Sequence, residues 1–164
     1  MPQHLDRTLF EFLILEGAQA GLSWEIVLKR RADYRRLFAN FDAAKVARFS
    51  ARDQARLMQE PSIIRNRLKI ASAVTNARAF LATREAFGSF DAYLWAFVGG
   101  RPLQTSGRDR TTRSDESDAL SKDLRKRGFS FVGTTICYAF MQAVGMVNDH
   151  SEGCFRRKTL SRAR

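Results

Sequence analysis

The stretch Leu15-Glu16-Gly17-Ala18-Gln19-Ala20-Gly21-Leu22-Ser23-Trp24 sets a carboxylate and a large aromatic side chain on either side of a glycine break. The run leading into it, Leu9-Phe10-Glu11-Phe12-Leu13-Ile14-Leu15, is apolar almost all round at helical spacing, the pattern of a helix buried over most of its surface. At roughly 100° per residue, Glu16 lies about 140° round that helix from Glu11, on the side of Leu9, Phe12 and Leu13. If Glu11 faces water, Glu16 therefore faces protein or a cleft, where a carboxylate has to be hydrogen-bonded, paired or functional. Taken by itself such an acid is more often the structural partner of an arginine, and Trp24 is more often a core anchor than a stacking surface for a ligand.

Helical period continues through the rest of the chain, with little of the strict alternation that marks a sheet. Ser23 is placed to cap a helix carrying Trp24, Val27, Leu28, Leu37 and Phe38, with Lys29, Arg30, Arg31, Arg35 and Arg36 around it. Asp42 caps a short helix over 43–49, and Ser50 with Asp53 three residues on reads as a capping box opening another over 51–58. Pro61 forces a turn before a long helix over 63–81. Asp91 to Val98 reads as a short aromatic helix, and Asp91 itself as a helix cap. Ser117 caps a helix that stops at Gly128, and a last core helix runs over 133–145. Between them the polar loop from Gly99 through Arg113 is the least ordered-looking part, with Arg108, Arg110 and Arg113 as minor candidates for nucleic-acid contact.

A chain of 164 residues with 45% hydrophobic content and thirteen phenylalanines suits one domain with a real core. Its formal net charge of +11, spread along the chain, points to a polyanionic partner. No apolar segment is long enough to span a bilayer and no signal peptide opens the chain, so the expected setting is cytoplasmic, without a membrane partner. Two cysteines, Cys137 and Cys154, do not make a disulfide framework.

Three segments are together specific: Leu15 to Trp24; Ile63-Ile64-Arg65-Asn66-Arg67-Leu68-Lys69-Ile70; and Ser117 to Lys122 followed by Arg127-Gly128-Phe129-Ser130-Phe131-Val132-Gly133-Thr134-Thr135-Ile136-Cys137-Tyr138-Ala139-Phe140-Met141-Gln142. The chain resembles bacterial DNA-3-methyladenine glycosylase I from about Pro2 to Phe155. That resemblance implies an all-α helical glycosylase fold, one domain over 1–155 with a helix-hairpin-helix over about 51–81, and a basic, disordered tail over 156–164. It implies hydrolysis of the N-glycosidic bond of 3-methyladenine in alkylated double-stranded DNA after the nucleotide is flipped out of the helix, by a monomer that needs no obligate protein partner.

By the same resemblance Glu16 is the catalytic pocket carboxylate, Trp24 lines the base, and Leu22 wedges into the gap left in the DNA stack. The hairpin would hold a phosphate on backbone N–H groups at Ser62 and Ile63, with Arg65, Arg67 and Lys69 on the flanking backbone. Related sequences usually place glycine where Ser62 stands. His150 and Cys154 resemble half of a structural zinc site; the other two ligands, with tyrosines that sandwich the base, belong to a segment preceding Met1. The expectation is therefore zinc absent or weakly held, and an activity impaired by a pocket open on one side. A weakly active or inactive DNA-binding remnant is the alternative, and a helical protein-interaction module the remote one.

Overall fold

The computed structural model describes residues 1–106 and 111–157. In chain order the helices are α1 (Asp6–Gln19), α2 (Trp24–Lys29), α3 (Arg31–Leu37), α4 (Ala43–Val46), α5 (Ala51–Leu57), α6 (Arg67–Phe87), α7 (Phe90–Ala96), α8 (Asp115–Lys126) and α9 (Thr134–Ala143). The all-α class expected from periodicity holds, with one addition that alternation could not reveal. Two-residue strands β1 (Leu103–Gln104) and β2 (Val147–Asn148) pair in parallel, Leu103 opposite Val147 and Gln104 opposite Asn148.

Helix α1 is the centre of the core. Leu9, Phe10, Leu13 and Leu15 are at most 2% exposed, and α6, α7 and α9 all pack against it. Phe10 meets Phe41 and Phe80, Phe80 meets Phe90, and Phe90 meets Phe129, which ties α1 to α6 and α7 through edge and tilted ring contacts. Gly17 permits the closest approach on this helix: a Cβ there would sit 3.3 Å from the Cβ of Phe131. The Phe131 turn is itself held on both sides by Asn76, which donates to Ser130 O at 3.0 Å and accepts from Ser130 N at 2.8 Å.

Several boundaries differ from the sequence expectation for local reasons. The helix opened by Ser23 breaks at Arg30, whose ψ is near 0°, so that α3 turns and delivers Arg31 and Arg35 to α1. The long helix starts at Arg67, not at Ile63: Ile63 sinks into the core at 3% exposure, and Asn66 caps Lys69 N at 3.1 Å. It runs on to Phe87 because nothing stops it before Gly88. Helix α8 opens at Ser114, whose side chain caps Ser117 N while the Ser117 hydroxyl accepts from Ser114 N, so Ser117 closes a capping box from its third position and is not the cap. Ser89 caps α7 at Ala92 N, assisted by the Asp6 carboxylate, which accepts from Phe90 N and Asp91 N. Asp91 is thus not the cap; its carboxylate meets His4 Nδ1 at 2.9 Å. The box of Ser50 and Asp53 and the Asp42 cap form as expected.

Arg108 and Arg110 lie outside the described residues, as do 158–164 of the expected tail. Arg113 pairs with Asp118, and Arg157 donates to the carbonyls of Thr105 and His150. Among the described residues no helix is long and apolar enough to cross a membrane.

The N-terminal segment lies against the turn after α9. Gln3 N donates to Val144 O at 2.9 Å, and Trp95 Nε1 donates to Gln3 O at 3.2 Å. Gly145 makes this possible: its φ is +80°, and a Cβ there would lie 2.8 Å from Pro2 N and 2.9 Å from Pro2 Cα. Gly145→Ala is expected to lower stability by about 1–3 kcal/mol, read as a lower urea midpoint at unchanged slope.

Candidate active site

The C-terminal half of α1 sends Glu16 inward, on the side of Leu9 and Leu13. The side chain is 1% exposed, and its Oε2 has no hydrogen-bond partner among the described residues. The condition that Glu11 faces water does not hold: Glu11 is also buried, and the two acids differ in their partners. Arg31 Nε and Arg35 Nε donate to Glu11 Oε1 at 2.7 and 2.8 Å, and a second Arg35 nitrogen donates to Oε2 at 3.1 Å. The arginine-satisfied acid is therefore Glu11, whereas Glu16 is left in a low-dielectric site with no counter-charge among the described residues. Burial pushes its carboxyl up to about 8.

Glu16 opens onto a cavity of about 540 Å³, with Trp24, Phe12 and Leu28 on one side and Ala139, Gln142, Val147, Asp149 and His150 on the other. Trp24 is the first residue of α2, whose start is fixed by Ser23 Oγ accepting from Ile26 N at 3.5 Å. The cavity thus joins an unpaired acid to an aromatic face, the two features a cationic, planar ligand requires. Gln142 and Asp149 were not singled out from sequence. Their signal was buried inside the long similar string and the segment before His150.

Leu22 sits half-buried at the tip between α1 and α2, in a turn closed by Leu22 N to Gln19 O at 2.6 Å and Gln19 Nε2 to Leu22 O at 2.5 Å. Lys69 is not directed at the flanking surface. Its ammonium donates to Ala18 O at 2.8 Å and Ala20 O at 2.6 Å, satisfying orphan carbonyls at the end of α1. Desolvation lowers its pKa. In the link between α5 and α6, Ile63 is buried and Ile64 N donates to Tyr34 Oη at 3.3 Å, while a guanidinium nitrogen of Arg36 reaches Ser62 Oγ at 3.5 Å. Arg65, Asn66, Arg67 and Leu68 form an exposed row, Leu68 at 71%, at the point where the first N–H groups of α6 face outward.

His150 and Cys154 are brought together, Nδ1 to Sγ 3.5 Å, close to the roughly 3.6 Å spacing of an N and an S ligand on one tetrahedral zinc. Among the described residues no third His, Cys, Asp or Glu joins them. His4 is engaged with Asp91 and stacks on Trp95 at 4.6 Å. Two donors fall short of the four that a structural zinc takes.

Residues 1–157 match the methyladenine glycosylase family model. DNA-3-methyladenine glycosylase 1 of Escherichia coli is 49% identical over 157 residues, 94% of this chain and 84% of the relative. The DNA-3-methyladenine glycosylase of Haemophilus influenzae is 44% identical over 93% and 84%. In three dimensions the chain is similar to 3-methyladenine DNA glycosylase I of Staphylococcus aureus, with a TM-score of 0.92, 36% identity, and coverage of 96% and 85% of the two chains. A variant 3-methyladenine DNA glycosylase I solved in complex with 3-methyladenine superposes equally well, with a TM-score of 0.92.

The burial of Glu16 has a direct consequence for stability. Its folded-state pKa is raised from 4.5 to about 8, so the folded protein retains a proton that the unfolded chain gives up. The contribution is present below pH 4.5 and lost as pH rises through about 8. Thermal unfolding from pH 5 to 9 is expected to show Glu16→Gln gaining several degrees on the parent toward the alkaline end. Parallel curves for the two proteins would contradict it.

Proposed function

This chain belongs to the methyladenine glycosylase family, and on that footing we propose that it hydrolyses the N-glycosidic bond of 3-methyladenine in alkylated double-stranded DNA, as a monofunctional repair glycosylase. The observation that carries this reading is the unpartnered, fully buried Glu16 Oε2 facing a cavity it shares with Trp24.

A 3-methylated adenine still attached to its sugar carries a positive charge, so the base leaves without needing a strong acid. The C1′–N9 bond breaks with its electron pair going to the purine, which departs neutral. The deoxyribosyl cation takes up water and releases a proton, leaving an abasic site. Glu16 binds the cationic purine edge through its ionised form, and the ligand's charge lowers the acid's pKa from its free value. Trp24 covers one face of the ring, where an electron-poor purine gains most. The 540 Å³ cavity is wide enough for a flipped purine, and Leu22 at the α1–α2 tip is placed to fill the gap it leaves.

The link between α5 and α6 is the proposed helix-hairpin-helix. Its phosphate site comprises the leading N–H groups of α6, flanked by Arg65 and Arg67, with Ser62 beside them. Lys69 supports this site from behind through α1. His150 and Cys154 supply two zinc ligands, so metal bound by these two alone is expected to be weakly held, and no step of the reaction runs through it.

The test is release of free 3-methyladenine from methylated duplex DNA. Glu16→Gln and Trp24→Ala are each expected to slow release by about 100-fold or more. Release that survives both changes would remove the site assignment. Binding of an abasic duplex without any release by the parent chain would leave a DNA-binding remnant instead. Because Glu16 must be ionised to meet the cation, kcat/KM is expected to rise with pH and level off above about 8. Arg65→Ala and Arg67→Ala together should weaken DNA affinity and flatten its salt dependence by about two phosphate contacts.

A further inference from the structure

We propose that Asp149 is a second acidic group of this active site, placed to face the deoxyribose and to stabilise the positive charge that develops there as the base departs. The inference rests on the glycosylase reading above and adds to it a residue with a separate task.

Asp149 lines the same cavity as Glu16 and Trp24 but at a different depth. Glu16 is 1% exposed at the floor, whereas Asp149 is half-buried. A nucleotide rotated out of a duplex enters base first and stays tethered through its sugar. The deepest acid therefore meets the purine, and the shallower one meets the sugar. Arg156 lines the same cavity and has no ion pair with Asp149 among the described residues, so the carboxylate is not neutralised from that side.

The carboxylate is also fixed in advance. Tyr138 and Gln142, one turn apart on α9, both donate to a single oxygen, Oδ2, the phenol at 3.3 Å. Tyr138 is 2% exposed, and burial together with the adjacent carboxylate pushes its phenol up to about 12, which keeps it a donor. Oδ1 has no protein partner among the described residues. On the backbone side Asp149 directly follows β2, whose pairing with β1 sets the strand's direction, and the neighbouring Asn148 is 2% exposed and donates to Gln104 Oε1 at 2.9 Å. A rigid carboxylate with one oxygen occupied and one open is suited to stabilise a cation that exists only in transit, because no reorganisation is needed when the charge appears. In the reaction as written, Asp149 forms no bond and takes no proton. It acts on the cation between departure of the neutral purine and addition of water.

The experiment uses two abasic-site duplexes that differ in one charge: a neutral tetrahydrofuran analogue and a cationic pyrrolidine analogue of the sugar. The parent chain is expected to bind the cationic duplex at least about tenfold more tightly, a preference that D149N and D149S both erase. Affinity for free 3-methyladenine should stay within about twofold in these variants, while single-turnover release falls about 10- to 100-fold. E16Q should do the converse, losing free-base affinity and keeping the cationic preference. A preference intact in D149N and D149S overturns the proposal, as does parallel loss of free-base affinity in both. A parent chain that releases no base yet shows an Asp149-dependent preference would overturn the glycosylase reading while supporting this site.

Discussion

One ammonium group holds the active-site end of this protein together. Lys69 rises from the first turn of α6 and donates to the carbonyls of Ala18 and Ala20, where α1 has run out of partners of its own. The contact fixes the end of the helix that bears Glu16, the tip that bears Leu22 and, through that tip, the start of α2 with Trp24. It also joins those elements to the turn where Arg65 and Arg67 are exposed. The start of α6 is thereby set in a fixed relation to the pocket, with Lys69 bridging the exposed row at Arg65 and Arg67 to the end of α1 that bears Glu16.

The two buried acids of α1 show how one helix can use the same side chain for opposite ends. Glu11 is clamped by two arginines that the break at Arg30 swings onto it, and Arg31 also lies over the Phe12 ring at 5.1 Å. This is an ordinary structural ion pair that locks α3 to α1. Five residues on, Glu16 has no such partner among the described residues, in a chain carrying 28 lysines and arginines. Leaving it so is costly in the free protein, which is why its carboxyl holds its proton near neutrality.

What was legible beforehand followed from short-range regularities. The density of apolar residues in α1 exposed it as the central helix, and the box at Ser50 and the caps at Ser23 and Asp42 were readable from local hydrogen-bonding chemistry, whereas the angle between Glu11 and Glu16 could not separate two acids that are both buried. What was not legible depends on partners distant in sequence. Nothing near Glu11 reveals that Arg31 and Arg35 will reach it. The start of α6 moved because Ile63 is worth more in the core than as the first turn of a helix. Lys69 looked like a surface cation because its acceptors lie about fifty residues away. Asp149 owes its orientation to α9 and to a two-residue bridge too short to leave any alternation.

The arrangement of the cavity also bears on how the protein is made. One wall comes from α1 and α2, early in the order of helices, and the other from α9 and the residues after β2, late in it. The bridge partner of β2 and the resting place of the N-terminal segment against Val144 and Gly145 likewise join segments far apart along the chain. A nascent chain still short of residues 134–157 has its central helix, α1, without the cover of α9. A fragment lacking α9 and β2 lacks one wall of the pocket.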